Sequence, residues 1–164
     1  MSGDTRNVMI LVNDHRFLAD FVRLNEAWIT HYFKLEDADR ALAARPSHVI
    51  DDGGFIFTLK VDDEVVGACA LFNDGDGVFQ LARMAVSPPH QGQGYGQLLM
   101  QAALEQLQSI RASRVFLLTN KKLLAAISIY KKYGFVIISE EQHPVYARSD
   151  LVMEKFLQVG KVLP

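Results

Sequence analysis

The chain has 164 residues, 49% hydrophobic and 22% charged, with a formal net charge of −2. This length suits a single domain, 1–164, around one buried core, and the composition excludes a disordered chain and argues against a polyanion-binding surface, so no nucleic-acid partner is expected. No apolar run nears the ~18 residues of a membrane span and residues 1–4 lack a basic-then-apolar leader, so neither membrane insertion nor secretion is expected.

In chain order, residues 7–12 form a short β-type run, and Asn13 and Asp14 supply helix-capping chemistry after it. Apolar residues from Phe17 through Phe21, Leu24, Trp28 and Ile29 to Phe33 recur at helical spacing, which predicts an amphipathic helix with a wide apolar face. Residues 36–45 predict a second, short helix stopped by Pro46. From Gly54 the period changes to that of strands. Residues 55–60 and 65–72 form the arms of a hairpin around the turn 61–64. Cys69, the one cysteine, sits in the second arm and can form no disulfide within the chain. It is expected to be a small buried hydrophobe rather than a catalytic thiol, and a reducing, cytoplasmic setting is the default.

The cluster Asn73, Asp74, Gly75, Asp76, Gly77 reads as a turn into a third strand, 78–86. A helix over 94–108 follows, with Leu98, Leu99, Ala102, Ala103 and Leu107 on its apolar stripe. A strand at 115–119 then makes a strand–helix–strand unit, which implies a parallel crossover. Residues 122–133 predict a helix closed by Gly134 as the C′ residue, and 135–138 and 149–157 predict the last two strands. The order is that of a mixed α/β fold, a mixed sheet of about seven strands with helices on both faces.

Chemistry concentrates between residues 78 and 107. The strand ends at Arg83, Met84, Ala85 and Val86, a turn carries Pro88 and Pro89, and Gln91, Gly92, Gln93, Gly94, Tyr95 and Gly96 run into the helix. Glycines there allow sharp turning and close backbone approach. Unpaired first-turn amides and the positive end of the helix dipole suit a phosphate or diphosphate. A dinucleotide fingerprint would need its third glycine where Gln97 stands, and an acidic residue about 20 positions on, which the strand at 115–119 does not offer. An ATP-type loop would need a Lys-Ser or Lys-Thr pair that is absent.

Gln91, Gly94 and Gly96, with the preceding strand, resemble the first cofactor motif of the GNAT N-acetyltransferase family. Downstream, Asn120 and the segment from Ala126 through Tyr130 to Gly134 and Phe135 are similar to the family's second cofactor-side segment. The resemblance covers roughly residues 50–157. It implies the GNAT-type sheet, acetyl-CoA as cosubstrate, and a small-molecule or peptide primary amine as acceptor, attacked directly in a ternary complex. The implied cofactor contacts are the loop residues Gln91, Gly92, Gln93, Gly94, Tyr95 and Gly96 for the diphosphate. Met84, Ala85 and Val86 are implied for the pantetheine and the thioester carbonyl. Tyr130 stands where relatives place the acid that protonates the leaving thiolate, although by itself it reads as an ordinary helix tyrosine.

Asn120 is expected at the pantetheine, or as the cap of the helix that follows. Ser128 stands where relatives often carry another Asn. For the base, Glu26 beside Trp28 is the first candidate, His143 the second, and relay through water the third. Tyr146 and Arg148 precede the final strand, where acceptor specificity is set, and Arg148 suits an acceptor carboxylate. The acidic stretches at 36–37, 62–64 and 140–141 hint instead at a cationic acceptor. Five scattered histidines show no metal spacing, so no metal is expected. Homodimers are common among such proteins. The alternative on the same fold is a non-catalytic acyl-CoA sensor or partner-binding module.

Overall fold

The computed structural model describes residues 6–157; residues 1–4, read above for a leader, lie outside them. In order come β1 (Val8–Val12), α1 (Leu18–Tyr32), α2 (Asp37–Ala44), α3 (His48–Asp51), β2 (Phe55–Val61), β3 (Glu64–Gly75), β4 (Val78–Val86), α4 (Tyr95–Ser109), β5 (Arg114–Thr119), α5 (Leu124–Lys132), β6 (Val136–Ser139) and β7 (Leu151–Phe156). The strands form one seven-stranded sheet in the order β1-β2-β3-β4-β5-β7-β6. Neighbours pair antiparallel except β4 with β5, as a helical crossover through α4 requires. The expected mixed sheet with helices on both faces is the fold observed.

The pleat explains the two layers. Phe57, Leu59, Cys69 and Leu71 cluster with Leu99, Met100 and Leu107 of α4 on one face. Their neighbours Ile56, Ala68 and Ala70 cluster with Phe21 and Leu24 of α1 on the other. The buried stripe of α4 is Tyr95, Leu99, Met100, Ala103 and Leu107, while Leu98, expected on it, is 38% exposed. Full burial of side chains such as Leu99 and Leu107 contributes about 1.5–3 kcal/mol each.

Several expected boundaries move. Asp14, rather than Asn13, supplies the cap, accepting from the Arg16 amide at 3.1 Å. Asn13 instead joins the sheet, exchanging bonds with Ile56. Residues 48–51 form the one-turn α3, too short to leave a periodic signal. β3 runs on to Gly75, because Asn73 and Gly75 still pair with Phe79 and Val78 across a bulge at Asp74. α5 starts at Leu124 rather than 122.

Two irregularities of β4 open the sheet. β4 and β5 pair only at Val78–Arg114, Phe79–Val115 and Gln80–Phe116, then separate. On its other edge β4 continues against β3 to Val86, but Arg83 and Met84 together oppose Cys69. That is a β-bulge, and Arg83 within it takes a left-handed φ of 60°. A non-glycine residue there stores about 1–2 kcal/mol of strain.

Candidate active site

The gap between β4 and β5 is a cavity. Residues 80–84 of β4 line one side and Leu117, Leu118 and Thr119 of β5 the other. α1 adds Asn25, Trp28 and Ile29, with Phe33 just past its end, α5 adds Ala126 and Tyr130, and the segment before β7 adds Tyr146, Arg148 and Ser149. Beyond Gln80 the edge of β4 that faces β5 has no strand partner among the described residues. It is a short open edge, able to pair with a peptide-like ligand. Met84 lines the cavity, and Ala85 and Val86 continue the strand toward the glycine loop.

The loop is shaped from its own ends. The Ser87 amide donates to the Val66 carbonyl at 2.8 Å, and a 3-10 turn spans Pro88–His90. The Gln91 carboxamide donates to the carbonyl of Val86 at 3.0 Å. Gly92 and Gly94 take φ values of 78° and 84°, and Gly94 caps α4 in the left-handed conformation. Among the described residues, the amides of residues 92–97 meet no intramolecular acceptor; the first helical bond is Leu98 to the Gly94 carbonyl at 3.1 Å. Gly96 has no positive φ, and outside its own turn of helix no atom of the described residues lies within 4 Å of where a Cβ would stand. Nothing inside the protein requires a glycine at that position. The Tyr95 side chain is buried, and the Gln93 carboxamide accepts from Arg6 at 3.1 Å, so what the loop offers outward is its backbone.

Tyr130 is fixed by the end of α5. The Phe135 amide donates to the Tyr130 carbonyl and the Gly134 amide to that of Lys131, both at 3.0 Å, with Gly134 at φ 94°. This is a Schellman closure. Phe135, fully buried, anchors it, and its ring lies 6.1 Å from that of Tyr130. Among the described residues the Tyr130 hydroxyl has no hydrogen-bond partner, and it lines the cavity. Burial, and to a lesser degree the neighbouring Cys69, pushes its pKa up to about 12. Cys69 is buried at the bulge, and desolvation pushes its thiol well above the ordinary range, which makes it an inert core residue.

Asn120 lines the cavity, and both ends of its amide are engaged. Its Oδ1 accepts from the Lys122 amide at 3.0 Å and its Nδ2 donates to the Arg148 carbonyl at 2.8 Å. Ser128 is exposed. Glu26 is half-buried on α1 but does not line the cavity, although Asn25 and Trp28 do. His143 also lies outside the lining. Its Nδ1 accepts from the amides of Val145 and Tyr146, both at 3.1 Å, which places the ring proton on Nε2 in this geometry. The Gln142 carboxamide donates to the carbonyls of Tyr146 and Ala147 at 3.1 and 2.8 Å. Gln142 and His143 thus build the loop that carries Tyr146 and Arg148.

A buried ionic cluster stands at the acceptor end. Asp39, with 1% of its side chain exposed, pairs with Arg83 and receives both Arg148 Nη atoms at 2.7 Å. Arg83 also donates to Asn25 at 3.1 Å and to the Tyr146 hydroxyl at 2.7 Å. Glu36 accepts from Arg148 at 3.1 Å and from the Ala147 amide at 2.9 Å. Burial alone would raise the Asp39 carboxyl, but Arg148, the Glu36 amide and Arg83 together hold it below the ordinary carboxylate range. Sequence reasoning found Arg148 and Tyr146 but missed Asn25, Asp39 and a role for Arg83. The signal available was the Glu36–Asp39 spacing of a capping box, which the structure forms. None of the acidic stretches read as a hint of a cationic acceptor lines the cavity.

Among solved structures, the chain is similar to a GNAT-family acetyltransferase from Staphylococcus aureus Mu50, with TM-score 0.81 and 15% identity, covering 93% of this chain and all of the other. It is similar to an acetyltransferase from Streptococcus agalactiae 2603, with TM-score 0.76 and 19% identity over 94% and 100% of the two chains. It is also similar to the PaiA N-acetyltransferase of Thermoplasma acidophilum, solved in complex with coenzyme A, with TM-score 0.74 and 16% identity over 92% and 99%. At these identities the likeness is one of fold. In sequence, the chain is 28% identical over 149 residues to the uncharacterized N-acetyltransferase YobR of Bacillus subtilis (strain 168), covering 88% of this chain. It spans 60% of that relative's length. The family model of the acetyltransferase (GNAT) family matches residues 17–135, well over half of the chain. The chain belongs to the acetyltransferase (GNAT) family.

Proposed function

We propose that the chain transfers an acetyl group from acetyl-CoA to a primary amine by direct attack in a ternary complex. The observation that carries this reading is the continuity of three features: the edge of β4 that parts from β5 beyond Gln80, the cavity beside it, and the amides of residues 92–97, which have no acceptor among the described residues. They fit acetyl-CoA in that order. The loop amides and the start of α4 suit a diphosphate, and Gly96 leaves room for it. The edge of Met84, Ala85 and Val86 suits the amide-bearing pantetheine arm.

Bound acetyl-CoA supplies the acetyl group as an activated thioester. The Met84 amide, next to the bulge residue Arg83, donates to the carbonyl oxygen on which charge develops. As the nitrogen–carbon bond forms and the carbon–sulfur bond breaks, the Tyr130 hydroxyl gives its proton to the departing sulfur. Like any tyrosine it is protonated at neutral pH, and burial moves its pKa further up. No carboxylate or imidazole lines the cavity among the described residues, so the amine proton leaves through water, with Glu26 beside the lining residue Asn25 as its receiver.

Calorimetric titration with acetyl-CoA, CoA and NAD, followed by thiol release over an amine panel, tests this. Binding of acetyl-CoA and CoA but not NAD, with thiol released by at least one amine, is expected. Acetyl-CoA binding without turnover on any amine would make the protein a sensor, and no CoA binding would remove both readings.

A further inference from the structure

Every charged group on the cavity wall has the same sign. Building on the acetyltransferase reading, we infer that the acceptor is an amine that also carries a carboxylate, a free amino acid or close analogue, whose carboxylate is received by Arg83 and Arg148. Both arginines line the cavity, while Asp39 and Glu36, which hold their guanidinium groups, do not. Aspartate, glutamate and lysine are absent from the lining formed by the described residues.

The donors are there to be used. A guanidinium has five N–H groups. Arg83 gives Nη1 to Asn25 and Asp39, and one Nη2 hydrogen to Tyr146. Arg148 gives Nη1 to Glu36 and Asp39, and one Nη2 hydrogen to Asp39. Among the described residues, each side chain keeps its Nε–H and a second Nη2–H without a protein acceptor. The Tyr146 hydroxyl accepts from Arg83 and has its own hydrogen left to donate. Its ring centroid lies 5.4 Å from the Arg83 guanidinium and 4.8 Å from that of Arg148.

Electrostatics points the same way. Arg83 and Arg148 are balanced by Asp39 and Glu36, so the cluster is neutral as a whole, but only its two cationic members line the cavity. A carboxylate entering the cavity meets charge-assisted donors in a partly desolvated setting, whereas a second ammonium group meets like charge. The same cavity holds Tyr130 and the β4 edge, so an acceptor held there by its carboxylate keeps its amine within the reacting space. The reaction balances as N-acetyl amino acid plus CoA thiol: the amine loses one proton through water to Glu26, which releases it to solvent, and sulfur gains one from Tyr130, which is reprotonated from water.

The test uses matched triples on the wild-type protein: an amino acid, its carboxamide and its decarboxylated amine, each rate referred to the unprotonated amine. The amino acid is expected to exceed both partners in kcat/KM by roughly 10- to 100-fold, the worth of charged hydrogen bonds. Arg148→Lys is expected to raise KM for the amino acid about tenfold while acetyl-CoA affinity holds. Should that variant not fold, the triples decide alone. Equal or better turnover of the carboxamide or decarboxylated amine would overturn this inference and leave the acetyltransferase reading intact. Thiol release by no amine at all would overturn both.

Discussion

Gln91 Nε2 donates to the carbonyl oxygen of Val86 at 3.0 Å, so the side chain that opens the glycine loop closes the end of the strand before it. The residue acts on the shape of the loop, and any cofactor contact falls to the backbone beyond it. Gln91→Ala is expected to reduce stability by about 0.5–1.5 kcal/mol, the worth of one hydrogen bond. Acetyl-CoA affinity should fall several-fold as residues 92–97 lose their fixed orientation. Denaturant unfolding and calorimetry measure the two effects. Unchanged affinity would mean that the bonds of Ser87 and His90 suffice to hold the loop.

Gly96 separates ligand room from backbone need. Gly94→Val is expected to abolish CoA binding, but it also strains a left-handed position and so mixes two causes. Gly96 has no positive φ and lies in the first turn of α4, where a Cβ would meet no atom of the described residues outside its own turn of helix. Gly96→Ala should therefore raise stability, by up to about 1 kcal/mol, while weakening acetyl-CoA binding at least tenfold. A variant that gains stability and keeps its affinity would place the diphosphate elsewhere.

Tyr130→Phe is expected to bind acetyl-CoA normally and to turn over about 10²- to 10⁴-fold more slowly, the usual range for a positioned acid. The wild-type rate should show no loss attributable to phenol ionisation as pH passes 10, because Tyr130 stays protonated until about 12. Since the folded value is raised, the associated stability is fully present below the unfolded value near 10. It is lost as pH rises through the folded value. Following phenolate absorbance with pH in wild type and variant should show that the variant lacks a late-titrating tyrosine. Turnover equal to wild type would remove Tyr130 from the mechanism.

The parts of the fold that local pattern determines were legible, and those that depend on distant partners were not. Alternation and helical spacing are properties of short windows, so the seven strands and the larger helices could be read. The meeting of Gly134, Phe135 and Tyr130 could be read as well, because a Schellman closure is a six-residue event. Asp39 looks like one more charged residue on a polar helix. What buries it are Arg83 and Arg148, 44 and 109 residues away. The Arg83 bulge was equally hidden, since an extra residue in a strand shows only against the register of its neighbour Cys69. β3 was read three residues short for a related reason: Asn73, Asp74 and Gly75 carry turn chemistry, yet the ladder to β4 holds them.

Asp39 makes the sharpest stability prediction. Its carboxylate receives Arg148 twice, Arg83 once and the Glu36 amide at 2.8 Å, with almost no exposure to water. Removing its charge leaves two buried guanidinium groups short of a partner, so Asp39→Asn should lose about 3–5 kcal/mol at neutral pH. Its folded pKa lies below the ordinary carboxylate value, so its contribution is present above the unfolded value near 4. That contribution is lost as pH falls through the still lower folded value. The difference in unfolding free energy between wild type and variant should therefore be flat from pH 7 to about 5 and shrink as pH drops below about 4. Urea unfolding of both proteins at stepped pH gives that difference directly, because the other carboxylates cancel. A difference that stayed constant into acid would mean that Asp39 titrates like an exposed carboxylate and that the guanidinium pair is held by Glu36 and Tyr146 instead.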